Sequence, residues 1–212
     1  MRYRVVAAAV VTCFGLATAA CGSGGTPPAS GPNHGETRHA LATRSAEARA
    51  AAKRHGAFGA GCAKVPATGP GSLTAMASVP VATAAARTPL LHDFSRAIRA
   101  AGLTSMLNSA RAITVFAPDN AAFIALGKGN VATLTATRSD LTKVLEYHVV
   151  TGRHTPAQLA SHKHLTTLRG TVIIPAKSHK IYEVNSVEIT CGNIQTANAT
   201  VYIVSSIIVP LR

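Results

Sequence analysis

The chain is 212 residues long, with an apolar fraction of 47%, an aromatic fraction of 4% and no tryptophan. That length gives room for one domain with additions, and because much of the apolar content is alanine the core has to come from Val, Ile and Leu. Lys and Arg number 21 against 8 Asp and Glu, a formal charge of +13 that favours anionic polymers or membrane surfaces as partners, while the scarcity of aromatics beside that charge argues against nucleic acid.

At the N-terminus, Arg2 and Arg4 precede Val5 to Ala20, an apolar or small run. These are the charged and apolar parts of an export signal over 1–20, too short for a mature span of about 20 apolar residues. The run ends Thr18-Ala-Ala-Cys21-Gly-Ser-Gly-Gly, which resembles a bacterial lipobox. In that reading Cys21 is acylated and becomes the first mature residue. Thr18 stands where leucine is usual; the alternative is an ordinary secretory peptide cut after an Ala-x-Ala-like site, with Cys21 incidental. Either way the domain leaves the cytoplasm. Acylation would anchor it by about 0.8 kcal/mol per buried CH₂.

Residues 21–61 are predicted to be a flexible basic tether. Gly22 to Gly35 hold Gly, Ser, Pro and Thr without an apolar period. Thr37 to His55 are Ala-rich and basic, and read as a spacer holding the domain off the membrane, either a frayed, solvated helix or one whose Lys and Arg side chains rest on an anionic surface.

The domain is expected over 62–212. Ser72 to Ala86 and Leu90 to Leu107 place apolar residues at three- and four-residue spacings, predicting short helices. Pro80 and Pro89 suit helix starts and Gly102 a stop. Ile113 to Phe116 are β-branched or aromatic and too few for a helix with its own core, so they predict a buried strand. Pro118 ends it, and Asp119 or Asn120 caps a helix that carries Phe123 back onto the strand. Val131 to Thr135 and Arg138 to Tyr147 follow, the latter with Leu141, Val144, Leu145 and His148 on one helix face. From Leu165 the period is two. Strands are predicted at Thr171–Ile174, Lys180–Val184, Val187–Cys191, Ile194–Thr196, Thr200–Val204 and Ser206–Val209, with turns at Asn185-Ser186, Gly192-Asn193 and Asn198-Ala199. Val187, Ile189 and Cys191 are expected on one face. Helices first and strands last predict an α+β fold.

Ile113-Thr-Val-Phe-Ala-Pro-Asp-Asn-Ala-Ala-Phe123 resembles the TVFAP-x-N-x-AF motif of the fasciclin-type (FAS1) domain. Leu103 to Leu107, ahead of it, and Leu145-Glu-Tyr-His-Val149 and Asn198 to Pro210, after it, resemble further motifs of that family in order, with Ala199 and Ser205 replacing the usual glycine and aspartate. The resemblance covers about Ala67 to Pro210 in one copy. It implies a single FAS1-type domain: an antiparallel β-wedge or sandwich with a cluster of short helices. Cys62 in Gly-Cys-Ala and Cys191 in Cys-Gly look like the pair in the single-domain fasciclin antigens and surface lipoproteins of mycobacteria. With Cys13 in the signal and Cys21 as the lipidation site, an oxidising exterior makes a Cys62–Cys191 disulfide the default. A metal or redox pair is the alternative, for which no Cys-x-x-Cys spacing exists.

No Gly-x-Ser-x-Gly elbow, phosphate loop or His-Glu-x-x-His helix occurs, and Asp119 is spent as a cap, so no enzyme, catalytic residue, metal or cofactor is expected. His154, His162 and His164 lie close in sequence, with the last two on one strand face, and are read as solvated surface. Tyr147 and His148 have two readings: core at the end of a helix face, or the Tyr-His segment that the resemblance links to integrin binding in animal members. Arg153, Lys163, Arg169, Lys177 and Lys180 form a segment without acids, read as an edge for anionic glycans, lipids or envelope polymers, or as a soluble basic surface. The expected function is adhesion or ligand binding by a lipid-anchored monomer at a bacterial cell surface. Its partner would be a host or envelope protein, or an anionic glycan or lipid. The alternative is a carrier of a lipid or other apolar ligand in a pocket.

Overall fold

A computed structural model describes residues 34–127, 129, 137–170, 172–179 and 181–209. The export signal, Cys21, Val131–Thr135, Lys180 and Pro210 lie outside the described residues. Helices come first: α1 (His34–Arg54), a 3₁₀ turn (Ala60–Lys64), α2 (Leu73–Ala77), α3 (Val81–Arg87), a second 3₁₀ turn (Pro89–Leu91), α4 (His92–Ala101) and α5 (Thr104–Ser109). Then come β1 (Ile113–Pro118), α6 (Asn120–Leu126), α7 (Arg138–Tyr147), β2 (Val149–Thr151) and α8 (Pro156–Ser161). Six strands close the chain: β3 (Leu165–Thr166), β4 (Val172–Ile173), β5 (Pro175–Ser178), β6 (Ile181–Val184), β7 (Val187–Gln195) and β8 (Ala199–Val204).

Local chemistry sets the helix ends. Ser72 accepts the Ala75 N–H, Thr137 accepts the Asp140 N–H, and Gly102 takes the left-handed C-cap conformation at φ 74° that suits a residue without Cβ. Thr155 and Gln158 form a capping box at α8, with Pro156 in its first turn.

The main sheet is six-stranded, in the order β2-β1-β8-β7-β6-β5. Its pairs are antiparallel except β1–β8, which run parallel from Ile113 opposite Ala199 to Pro118 opposite Val204. The α+β class stands, and the sheet is mixed rather than wholly antiparallel. The long excursion between β1 and β8 in sequence supplies the crossover that a parallel pair requires. β1 is buried along its whole length. Ile113, Val115 and Ala117 pack with the helices around Phe94, Ile98 and Leu107, while Phe116 faces a second core with Tyr147, Leu159, Ile173, Ile189 and Tyr202. A strand covered on both faces reads as a continuous apolar run, which is why the Ile113 to Ala117 stretch lacks alternation.

β7 departs from expectation. Gly192 and Asn193 lie inside one continuous strand, with register shifts between Ile189 and Cys191 and between Cys191 and Ile194. Each bulge adds a residue and re-aims the side chains after it. Ile189 therefore joins the second core and Cys191 the helical core, instead of sharing a face. Ser206–Val209 forms no strand, although Ile207 and Ile208 are buried.

The described part of the 21–61 segment is helical up to Arg54, and Ala52 joins the helical core. Beyond α1, Phe58 pairs with Gly192 through two backbone hydrogen bonds of 3.1 and 2.8 Å. Cys62 and Cys191 are joined by a disulfide with their Cα atoms 4.8 Å apart, closing a separation of 129 residues. Ordered packing thus begins before Cys62, because strand pairing and the disulfide together hold this segment on β7.

Candidate functional site

The TVFAP stretch ends in residues that satisfy helix termini. Asp119 caps α6, its Oδ1 accepting the Ala122 N–H at 2.8 Å. Asn120 serves a different helix: its Oδ1 accepts the Asp93 N–H at 3.1 Å and its Nδ2 donates to the Pro89 carbonyl at 2.9 Å. Asn198 does the same from the far end of the chain. Its Oδ1 accepts the Val81 N–H at 2.9 Å, and its Nδ2 donates to the carbonyls of Leu107 and Ala110 at 2.8 and 2.9 Å. Helix N–H groups without intrahelical partners need such acceptors, and here they come from distant residues.

Tyr147 and His148 are both 1% exposed, which corrects their candidacy as a partner-binding pair. The Tyr147 hydroxyl accepts from Asn185 Nδ2 at 2.8 Å. His148 donates from Nδ1 to the Val144 carbonyl at 2.7 Å and accepts the Ile208 N–H at Nε2 at 2.9 Å. Burial pushes its pKa down to about 4, only partly offset by the Val144 bond, so the ring is neutral. The pair belongs to the scaffold.

The basic segment divides. Arg153 is a structural residue, since its Nη2 donates to the carbonyls of Thr196 and Ala199 (2.5 and 2.6 Å) and holds the β7–β8 turn. Lys163, Arg169 and Lys177 are exposed, and among the described residues none is ion-paired. Lys177 sits 5.0 Å from the centre of the Tyr182 ring. That ring packs tilted against Phe58, with centroids 4.6 Å apart, and Phe58 lies 6.3 Å from Tyr202.

His154 and His162 meet edge to face at 5.3 Å. Burial lowers the His154 pKa, with a hydrogen bond to the Thr151 carbonyl opposing and His162 adding to the shift. His162 follows α8 as its C-cap and, with His164, precedes β3, so the two do not share a strand face. Among the described residues no group of three or more His, Cys, Asp or Glu is placed to hold a metal.

A feature the sequence did not reveal lies before Cys62. The last turn of α1 and the loop to the first 3₁₀ turn line a cleft of about 380 Å³ that is open to solvent, with Arg49, Lys53, Phe58 and Cys62 among its walls. Apart from Cys62, its residues fall in the stretch predicted to be a tether, where composition carries no sign of a site.

Residues 89–210 match the model of the Fasciclin domain. The chain is 37% identical over 160 residues to the immunogenic protein MPB70 of Mycobacterium bovis, covering 72% of this chain and 81% of that one. It is 36% identical over 162 residues to the cell surface glycolipoprotein MPT83 of Mycobacterium tuberculosis, covering 72% of each. Among solved structures, the FAS1 domain pair of the insect cell adhesion molecule Fasciclin I superposes with a TM-score of 0.50 at 13% identity. That match covers 64% of this chain and 52% of the insect chain, and shows a common fold.

Proposed function

The chain belongs to the fasciclin domain family, and from that membership we propose that it is an exported, lipid-anchored module making adhesive contacts at a bacterial cell surface. The observation that carries this reading is its similarity, across 72% of both chains, to proteins named as cell surface glycolipoproteins. The leader supports it: in Thr18-Ala-Ala-Cys21 the cysteine takes the acyl chain, and the Gly-, Ser- and Pro-rich run after it spaces the domain from the membrane. The work is contact rather than turnover. Asp119, Asn120, Asn198, Tyr147 and His148, which lie in the family's motifs, are spent on helix ends and packing. The exposed cations Lys163, Arg169 and Lys177 suit an anionic glycan or lipid, or an acidic face of a surface protein.

Metabolic labelling with a palmitate analogue, followed by antibody staining of intact cells, tests the reading. The wild type is expected to be labelled and stained, and Cys21→Ser to be unlabelled and released into the medium. An unlabelled wild type overturns the anchor, and an intact-cell signal no higher than background overturns surface display.

A further inference from the structure

We propose that the cleft between the last turn of α1 and Phe58 binds an acidic sugar, its ring lying along Phe58 and its carboxylate held by Arg49 and Lys53. This rests on the surface-contact reading and assigns it a place and a ligand chemistry. Arg49 and Lys53 are four residues apart on α1, so both project from one helix face, with the small Ala52 leaving room between them. Both are exposed, among the described residues neither is ion-paired, and no acidic residue is among those lining the cleft. Two cations lining one cleft favour an anion, and an arginine there offers a planar pair of donors matched to a carboxylate.

The rest of the wall decides what the anion is attached to. Phe58 is half-buried, backed by Tyr182 and Tyr202 at 4.6 and 6.3 Å, so its ring is held in place. An immobile aromatic ring beside donors suits the apolar C–H face of a sugar. The remaining wall includes Ala57, Gly56 and Gly59, small residues that keep the cleft open to a ring-sized ligand. Its volume of about 380 Å³ lies in the range of about 300–1,000 Å³ typical of small-ligand sites. A fatty acid fits less well, because a long acyl chain calls for a mostly apolar enclosure, and this wall carries two charges.

The cleft is built into the fold. Gly56, at φ 68°, ends α1, with the Gly56 and Ala57 N–H groups donating to the Lys53 and Ala52 carbonyls. Asn193 Nδ2 donates to the Gly56 carbonyl at 2.9 Å, and of the lining residues Phe58 is held by its bridge to Gly192 and Cys62 by its disulfide to Cys191. Gly192 is needed because a Cβ there would strike the Phe58 ring.

Calorimetric titration of the full chain in mild detergent with a galacturonic acid trimer, and with the neutral galactose trimer, tests the assignment. The acidic trimer is expected to bind the wild type at least about ten-fold more tightly than the neutral one, and to lose at least about ten-fold with R49A/K53A. Phe58→Leu is expected to weaken both trimers, with circular dichroism and an intact disulfide verifying its fold. Equal binding by R49A/K53A, no preference for the acidic trimer, or no binding of it overturns the site. Acyl labelling and surface staining of the same strains report separately on the surface-contact reading.

Discussion

The imidazole of His148 accepts the backbone N–H of Ile208 at 2.9 Å, tying the end of α7 to the chain after β8, 60 residues on. Only a ring with an unprotonated Nε2 can do this, and the Nδ1–H donated to the Val144 carbonyl fixes that tautomer.

A pH dependence follows. The unfolded chain takes up a proton on this residue near pH 6.5, and the folded chain only near 4. The contribution of His148 is therefore complete above about pH 6.5 and is lost as pH falls towards 4, by about 3 kcal/mol in all. Urea unfolding at pH 7 and pH 4.5 should show the wild type losing more stability than His148→Leu. The variant itself should be about 1–3 kcal/mol weaker at pH 7, because the Ile208 N–H is left unpaired. A wild type and variant with the same pH slope would refute the assignment.

Arg153 should behave as a structural residue. Arg153→Ala leaves the Thr196 and Ala199 carbonyls without their guanidinium donor and is expected to cost about 1–3 kcal/mol. At about 2–4 °C per kcal/mol that is a readily measured drop in Tm. Lys177→Ala, whose ammonium rests over Tyr182 at the surface, should change Tm by much less. Similar Tm values for the two variants would count against the role given to Arg153.

Asn198 is predicted to need both ends of its amide. Asn198→Ala removes the acceptor of Val81 and the donor to Leu107 and Ala110, at about 2–3 kcal/mol. Asn198→Asp keeps the acceptor but turns an oxygen towards two carbonyls, so it should be no better than alanine in chemical denaturation. Wild-type stability in the aspartate variant would contradict the donor role.

Removing the crosslink with C62A/C191A should lower unfolding free energy by about 2–4 kcal/mol. Hydrogen exchange should rise most at Phe58 and Gly192, whose mutual backbone bonds lie next to the bridge. Exchange unchanged at those amides would show that strand pairing alone holds the segment.

Much of the scaffold is legible in local chemistry. The Arg138–Tyr147 helix follows from its apolar period, and β1 with the Asp119 cap follows from a short β-branched run ahead of Pro118. Gly192-Asn193 is harder, because the same dipeptide suits a hairpin turn or a bulge. Here Phe58, more than a hundred residues earlier, lies over Gly192 and favours the bulge. Arg153 hides for a related reason: its acceptors are backbone carbonyls, which leave no mark in sequence. The cleft is hidden most fully, since Arg49 and Lys53 look like a solvated charge run until α1 is strapped to β7.

The central claim is that this fold makes contacts at the cell surface. It is tested most directly by counting attachment of isogenic cells, with and without the protein, to a surface coated with an acidic polysaccharide at low and moderate salt. Cells carrying the protein should attach several-fold more, with the difference shrinking as salt rises. Equal attachment by both strains at either salt concentration would contradict the account.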